Sequence, residues 1–259
     1  MGSNDALGRF TDLQRTYWQN ADAEHFRWQT QNAYISRTEV ALLAGIDLRP
    51  RDRVLEIGCG EGSNLHHLSA RCRGAILFAV DLSLPKVAFA IAATRALAAT
   101  ADAASLPFGT GAFDVVLVRD LLHHVADPQA VLAEAVRVLK PGGRIVVIEP
   151  NGRNPIIVAM ALIIRAERGM LASTPARAES ELRACGVGEL SVEHRQAMPL
   201  SRVLLHYRLG LPSLAGNGVA SRLLASAERT AELLPHSMWA YFVIRGVAPG
   251  SINAPAQTS

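Results

Sequence analysis

The residues best suited to chemistry lie in one string, 53–65, RVLEIGCGEGSNL. The aliphatic run 54–57 contains an acid, Glu56, and three glycines follow two apart at Gly58, Gly60 and Gly62. An amphipathic helical pattern over 64–71 begins at once. Strand, glycine turn, helix is how an α/β protein brings bare backbone and a helix N-terminus up to a ligand. Spacing then selects among ligands. A dinucleotide turn needs G-x-G-x-x-G, and a phosphate loop needs G-x-x-x-x-G-K-[ST]. Here Ser63 stands where the third dinucleotide glycine would fall, and no lysine follows to hold phosphates. Glu56, just before the turn, disfavours a polyphosphate and favours cationic or hydroxyl groups.

Acids and imidazoles recur at the ends of later apolar runs. Asp81 closes 75–80, AILFAV, 25 residues after Glu56, near where a nucleotide-binding fold places an acid at its second strand tip. A carboxylate there can accept both ribose hydroxyls. Alternatively Asp81 caps the next helix, although Ser83 is an equally good cap. The run 98–101 ends at Asp102-Ala103, within D-A-x-x-L-P-F. The run 113–118, FDVVLV, ends at Arg119-Asp120 and leads to His123-His124. An imidazole titrating near neutral pH suits a general base. Neighbours on a helical turn point about 100° apart, so at most one of the pair faces a cleft; a structural role for both is the alternative. Arg119 is either an anchor for a ligand carboxylate or half of a surface salt bridge. Glu149, at the end of RIVVI, either touches an acceptor or ends its strand.

The acid-glycine string, D-A-x-x-L-P-F and the later E-x-x-R-V-L-K-P-G-G-R (134–144) together resemble the class I S-adenosylmethionine (SAM) methyltransferases. The similarity is to the small-molecule branch that includes the ubiquinone and menaquinone C-methyltransferases. It covers 53–149 well, and 176–195 and 238–246 loosely. The resemblance implies a doubly wound, Rossmann-like α/β sheet of seven strands, order 3-2-1-4-5-7-6, the last antiparallel. It implies SAM as cofactor and S-adenosylhomocysteine as product. Adenine would meet Asp102 and Ala103, with capping of its own loop the alternative for Asp102, and ribose would meet Asp81. A leader tyrosine, Tyr17, would reach the methionine end, and the implied cofactor set is completed by Glu56, Gly58, Cys59, Gly60, Gly62, Leu82 and Arg119. The implied reaction is methyl transfer to O, N or C of a small, apolar, lipid- or polyketide-like acceptor, with His123 or His124 as the catalytic candidates.

Other classes are disfavoured. The Asn/Asp-Pro-Pro-Tyr string of nucleic-acid amino-methylating enzymes is absent, since the fourth strand ends in Arg119-Asp120-Leu121-Leu122. A net charge of +3 without a basic stripe argues against nucleic acid. Three scattered cysteines give no C-x-x-C and no Cys/His ligand spacing, so neither a disulfide framework nor a metal site is expected. Two rivals keep the cofactor and change the outcome: a SAM enzyme that cyclises or decarboxylates, and a non-catalytic SAM- or S-adenosylhomocysteine-binding protein.

The chain of 259 residues, 49% hydrophobic, suits one large core. Its expected organisation is a helical leader or cap (1–44), a SAM-binding domain (45–246) with insertions at 151–175 and 196–237, and a disordered tail (247–259). Residues 1–9 read as an unstructured start. The leader holds six of the 14 aromatics, which either pack on the sheet edge or cap a cleft. The first insertion carries Ile156–Ile164 and then Arg165 and Arg168. It is read as a lid or as a peripheral membrane contact over 155–168. That nine-residue run is short of the roughly 20 needed to span a bilayer. With no signal pattern at the start, a cytoplasmic protein is expected. In the second insertion, helical patterns run over 200–209 and 219–234, and His206, Tyr207 and Arg208 are candidate acceptor contacts. No feature specifies an oligomeric state.

Overall fold

The computed structural model describes residues 3–208 and 210–250. Three helices lead: α1 Ser3–Trp18, α2 Ala23–Gln31 and α3 Ala33–Leu43. Then β1 Arg53–Ile57, α4 Ser63–Arg71, β2 Ile76–Asp81, α5 Leu84–Thr94 and β3 Leu97–Thr100 alternate. They are followed by β4 Phe113–Arg119, α6 Pro128–Val138, β5 Leu139–Pro150, α7 Pro155–Ile163, α8 Pro175–Ala184 and β6 Gly188–Arg195. Two further helices, α9 Leu200–Leu204 and α10 Gly218–Ala231, precede β7 Tyr241–Val247. The seven strands form one sheet, β3-β2-β1-β4-β5-β7-β6, in which β7 runs antiparallel to both neighbours.

Burial explains why the middle strands read as unbroken apolar runs. Val115, Val116, Leu117 and Val118 are all fully buried, but they alternate between two cores. Val116 and Val118 join Leu55, Ile57, Leu132 and Phe242 on one face, under α6 and α8. Val115 and Leu117 join Val54, Leu65, Leu43 and Ile157 on the other, under α3, α4 and α7. A parallel sheet covered on both sides requires this, because each successive side chain points the opposite way.

Several boundaries differ from the sequence expectation. The leader is helical from Ser3. The helix begun at Leu200 ends at Leu204, and a 3₁₀ turn, Pro212–Gly216, follows. The glycine pair after α6 does more than stop a helix. β4 pairs with Leu139 through Phe113, then with Arg144 through Val115, so residues 140–143 form a bulge, with Gly142 at φ +73°. At the other end β7 extends to Val247, and the buried Ala248 donates its N–H to the Gly143 carbonyl at 2.8 Å. The remainder of the expected tail, 251–259, lies outside the described residues.

A third, smaller core joins the leader to the second insertion: Trp28, Tyr34 and Ile35 pack against Leu205 and Leu224. Beside it lies a buried ion cluster. Glu39 of α3 is 1% exposed and receives the guanidinium of Arg119 from β4 and that of Arg202 from α9, the latter at 2.5 Å. Burial alone would raise the Glu39 carboxyl, but the two arginines outweigh it and hold it below its ordinary range. Removing one member of a buried ion set leaves the others uncompensated. Glu39→Ala should therefore lower the unfolding free energy by about 3–5 kcal/mol in urea titrations. A loss of only about 0–1 kcal/mol, as for an exposed pair, would contradict this account.

Candidate active site

The glycine turn sits at the carboxyl ends of β1 and β2. Gly58 and Cys59 donate their N–H groups to the Val80 carbonyl at 2.8 and 3.0 Å, and Gly60 donates to Asp81 Oδ2 at 2.9 Å. Gly58 (φ +77°) and Gly62 (φ +85°) occupy the left-handed region. Side chains are also excluded there by contact: a Cβ on Gly58 would lie 2.9 Å from Leu121, and one on Gly62 would lie 3.1 Å from Ala90. Gly60, half-buried, has open space where its Cβ would be, so its peptide is not covered there.

Glu56 lies fully buried beneath this turn. Its Oε1 accepts from Asn64 Nδ2 at 2.6 Å, while its Oε2 is buried with no hydrogen-bond partner. Asn64 in turn offers its carbonyl oxygen to Arg119 Nη1 at 2.6 Å, which orients the amide. Burial first, with a smaller push from Asp81, lifts the Glu56 carboxyl from its ordinary 4.5 to about 8 against the opposing Asn64 and Arg119.

Asp81 is half-buried and its Oδ1 accepts the Ser83 N–H at 2.9 Å. The cap of α5 is Ser83, so the alternative of Asp81 as helix cap does not apply. Leu82 beside it is exposed. Asp102 is exposed and accepts the Ala104 N–H at 2.9 Å, the loop-capping contact, with Ala103 half-buried at its side. Cys59 is buried, and burial pushes its thiol far up. Tyr17 is 52% exposed, its ring against Trp18 at 4.8 Å. Arg119 is 3% exposed and shared among Glu39, Asn64 and Asp120, so its salt bridge is buried, not at the surface.

His123 and His124 form a 3₁₀ turn with Leu122 just beyond β4, their ring centroids 3.9 Å apart. His123 Nδ1 lies 2.6 Å from Glu149 Oε2. Burial disfavours its charge, but Glu149 and then Glu167 overcome that and raise it to about 10. His124 moves the other way: burial, and then the charges of His123 and Lys86, hold it well below its ordinary value. Glu149 also accepts the Leu121 and Leu122 N–H groups at 2.7 and 2.8 Å, so it organises this turn.

Several contributors carried no local sequence signal. Trp18 lies against the His124 ring at 5.2 Å, with Lys86 Nζ 4.9 Å from its ring centroid. Gln14 accepts from Trp18 Nε1 at 3.1 Å, an i,i+4 pair on α1 that the helical pattern contained. Glu61, inside the glycine string, accepts the Asp22 N–H at 3.1 Å and faces His25 Nδ1 at 3.3 Å and Lys86 Nζ at 3.8 Å. It clasps the leader onto the turn, as does Ser83, whose hydroxyl donates to the Gln19 carbonyl at 2.6 Å. Glu167 comes from the 3₁₀ segment Arg165–Ala172 and reaches both histidines. His206, Tyr207 and Arg208 pack on the leader: Tyr207 donates to Asp22 Oδ2 at 2.8 Å, Arg208 pairs with Asp22, and His206 lies against Trp28.

This sheet order, with its single antiparallel strand and an acid-glycine turn at the tip of its first strand, is a Rossmann-like arrangement shared with solved methyltransferase structures. Residues 55–147 match the family model described as a methyltransferase domain. It is 33% identical to the 27-O-demethylrifamycin SV methyltransferase of Amycolatopsis mediterranei over 52% of this chain and 53% of that one. It is 33% identical to the demethylmenaquinone methyltransferase of Mycolicibacterium gilvum over 56% of this chain and 57% of that one. The chain thus spans about half the length of these curated relatives. Among solved structures, the fold resembles phosphoethanolamine N-methyltransferase 2 of Haemonchus contortus, with a TM-score of 0.67 and 20% identity over 93% of this chain and 60% of that one.

The buried Glu56 predicts a pH effect. Its pKa is higher folded than unfolded, so the stability it contributes is complete below about 4.5 and is lost as pH rises through about 8. In melts between pH 5 and 8 without cofactor, Glu56→Gln should lose less stability with rising pH than the wild type. Parallel curves would refute the assignment.

Proposed function

We propose that this chain is a transferase that moves a methyl group from SAM to O, N or C of a small, apolar or lipid-like acceptor, leaving S-adenosylhomocysteine. One observation carries the reading: a buried, unpartnered carboxylate oxygen on Glu56 beneath a turn of bare peptide, with Asp81 alongside. That donor set fits an adenosyl amino acid. The Glu56 oxygen suits the ammonium of the methionine part, and Asp81 retains lone pairs for ribose hydroxyls. Asp102 and Ala103 would meet adenine. Cys59, Leu82 and the glycines would supply the walls, and Tyr17 would close from the leader.

SAM, when bound, supplies an already activated methyl on a sulfonium. The chain's own work is then to hold donor and acceptor in line and keep water out, which supplies much of the acceleration. The leader clasped by Glu61 excludes water. The neutral His124 is the group suited to accept a proton from an acceptor, while His123, held charged between carboxylates, orients it. Arg119 acts through Asn64, positioning Glu56. The printed names of the relatives, rifamycin and menaquinone methyltransferases, support a biosynthetic small-molecule acceptor.

Leu162 and Ile163 at the end of α7 are 62% and 80% exposed, close to Arg165 and Arg168, which supports peripheral contact with a lipid surface through 155–168. Among the described residues, no helix is long and apolar enough to cross a membrane. The three cysteines are free, consistent with a reducing cytoplasm.

The test begins with cofactor. SAM, and not NAD, should raise the melting temperature, and Asp81→Ala should abolish that rise; an unaltered rise would remove the ribose role. Labelled methyl should then pass from SAM into a component of quinone, lipid or polyketide extracts with release of S-adenosylhomocysteine. Binding without that release would favour a non-catalytic or non-methylating protein.

A further inference from the structure

Glu167 lies 43 residues beyond His124 in sequence, yet its carboxylate rests against both imidazoles. Oε2 is 3.5 Å from His123 Nε2 and 3.8 Å from His124 Nε2, and one donor atom from each of the three residues lies within 4.8 Å of the others. This oxygen is buried and has no hydrogen bond.

The opposite nitrogen of each ring is held by an acceptor. His123 Nδ1 faces Glu149 Oε2 at 2.6 Å, and an ionised carboxylate only accepts, so Nδ1 bears the hydrogen. His124 Nδ1 faces Gln14 Oε1 at 3.0 Å. The Gln14 amide is oriented because its Nε2 donates to the Ala166 carbonyl at 2.6 Å while Oε1 accepts from Trp18. His124 Nδ1 therefore also bears hydrogen, and its Nε2 presents a lone pair. Two Nε2 atoms and a carboxylate oxygen thus converge. A proton on His123 satisfies one edge of this triangle and leaves His124 facing the carboxylate as acceptor to acceptor. A cation between the three satisfies every edge.

We propose that His123, His124 and Glu167 form a binding site for a divalent first-row transition-metal ion. Two imidazoles and one carboxylate suit zinc, cobalt or ferrous iron, whereas magnesium and calcium favour all-oxygen shells. Metal–ligand bonds of about 2.1 Å set tetrahedral donors about 3.4 Å apart, so closure needs movements of about an ångström. Glu149 and Gln14 are the outer acceptors that hold each ring in the required tautomer and orientation. The site departs from the expectation of no metal, which rested on spacing along the chain alone. Three protein ligands leave positions open for water or an acceptor oxygen. A Lewis acid there would polarise an acceptor carbonyl or hydroxyl, replacing His124 as the proton acceptor. That consequence rests on the methyl-transfer reading; binding of the ion does not.

The test uses full-length protein stripped with a chelator and titrated with Co²⁺ alone, read by visible d–d absorption, with Zn²⁺ calorimetry in parallel. One equivalent should bind saturably and produce the bands. His124→Ala and the nearly isosteric Glu167→Gln should each weaken binding at least about 100-fold, and Gln14→Ala about 10-fold, the range for an outer-sphere partner. Each variant's thermal shift with SAM, measured without metal, reports that the fold and cofactor crevice survive. No saturable binding by the wild type, undiminished affinity in Glu167→Gln, or a response to Mg²⁺ alone would overturn the proposal. Since metal is read without SAM, and SAM without metal, the two readings can fail separately.

Discussion

The Glu39 carboxylate is the constraint on which the rest depends. It joins three parts of the chain that share little sequence proximity: α3 of the leader, the tip of β4 through Arg119, and α9 through Arg202. Burying three charges is tolerable only when each is paired and hydrogen-bonded. Arg119 spends its remaining donors on Asn64 and Asp120, and Arg202 lies 4.9 Å from the centre of the Tyr241 ring. Asn64 then passes the orientation to Glu56, whose second oxygen is buried beneath the glycine turn without a partner. The junction of leader and sheet and the buried Glu56 carboxyl are thereby one hydrogen-bonded chain.

The leader and second insertion are joined by a different means. Their shared core around Trp28 and Leu205 is apolar and adaptable, while Asp22 gives it register: its carboxylate caps α2, receives Tyr207 and pairs with Arg208. The Asp22 N–H meets Glu61 in the glycine turn itself. Glycines at 58, 60 and 62 hold the turn in its left-handed backbone, and the acid between the last two ties the leader to that same loop.

The first insertion packs on the histidine turn. Gly169 explains its close approach, because a Cβ there would fall 1.8 Å from the His123 carbonyl oxygen. Only glycine lets the 3₁₀ segment lie flat on the histidine turn, and that approach delivers Glu167. The two histidines respond oppositely to one environment, His123 raised by its carboxylates and His124 lowered by burial and its charged neighbour.

Much of the frame was legible from local pattern. Continuous apolar runs at 54–57 and 113–118 marked strands covered on both faces, and glycines two apart marked the turn, because strand burial and left-handed backbone are encoded residue by residue. The string through 134–144 carried the resemblance from which the sheet order was expected, and the order found agrees. The place of Asp81 at the tip of β2 was legible because an acid closing an apolar run is set by register within one βαβ unit. What tertiary structure alone decided were the long-range pairings. Arg119 was visible as a charge, but its partner Glu39 stands 80 residues earlier. Glu167 had no nearby ligand spacing, and Trp18, beside the expected Tyr17, turned toward His124 through the packing of α1. Local propensity depends on neighbours within a turn or two, whereas the convergence of buried charges depends on how separate elements pack, and no spacing along the chain records that.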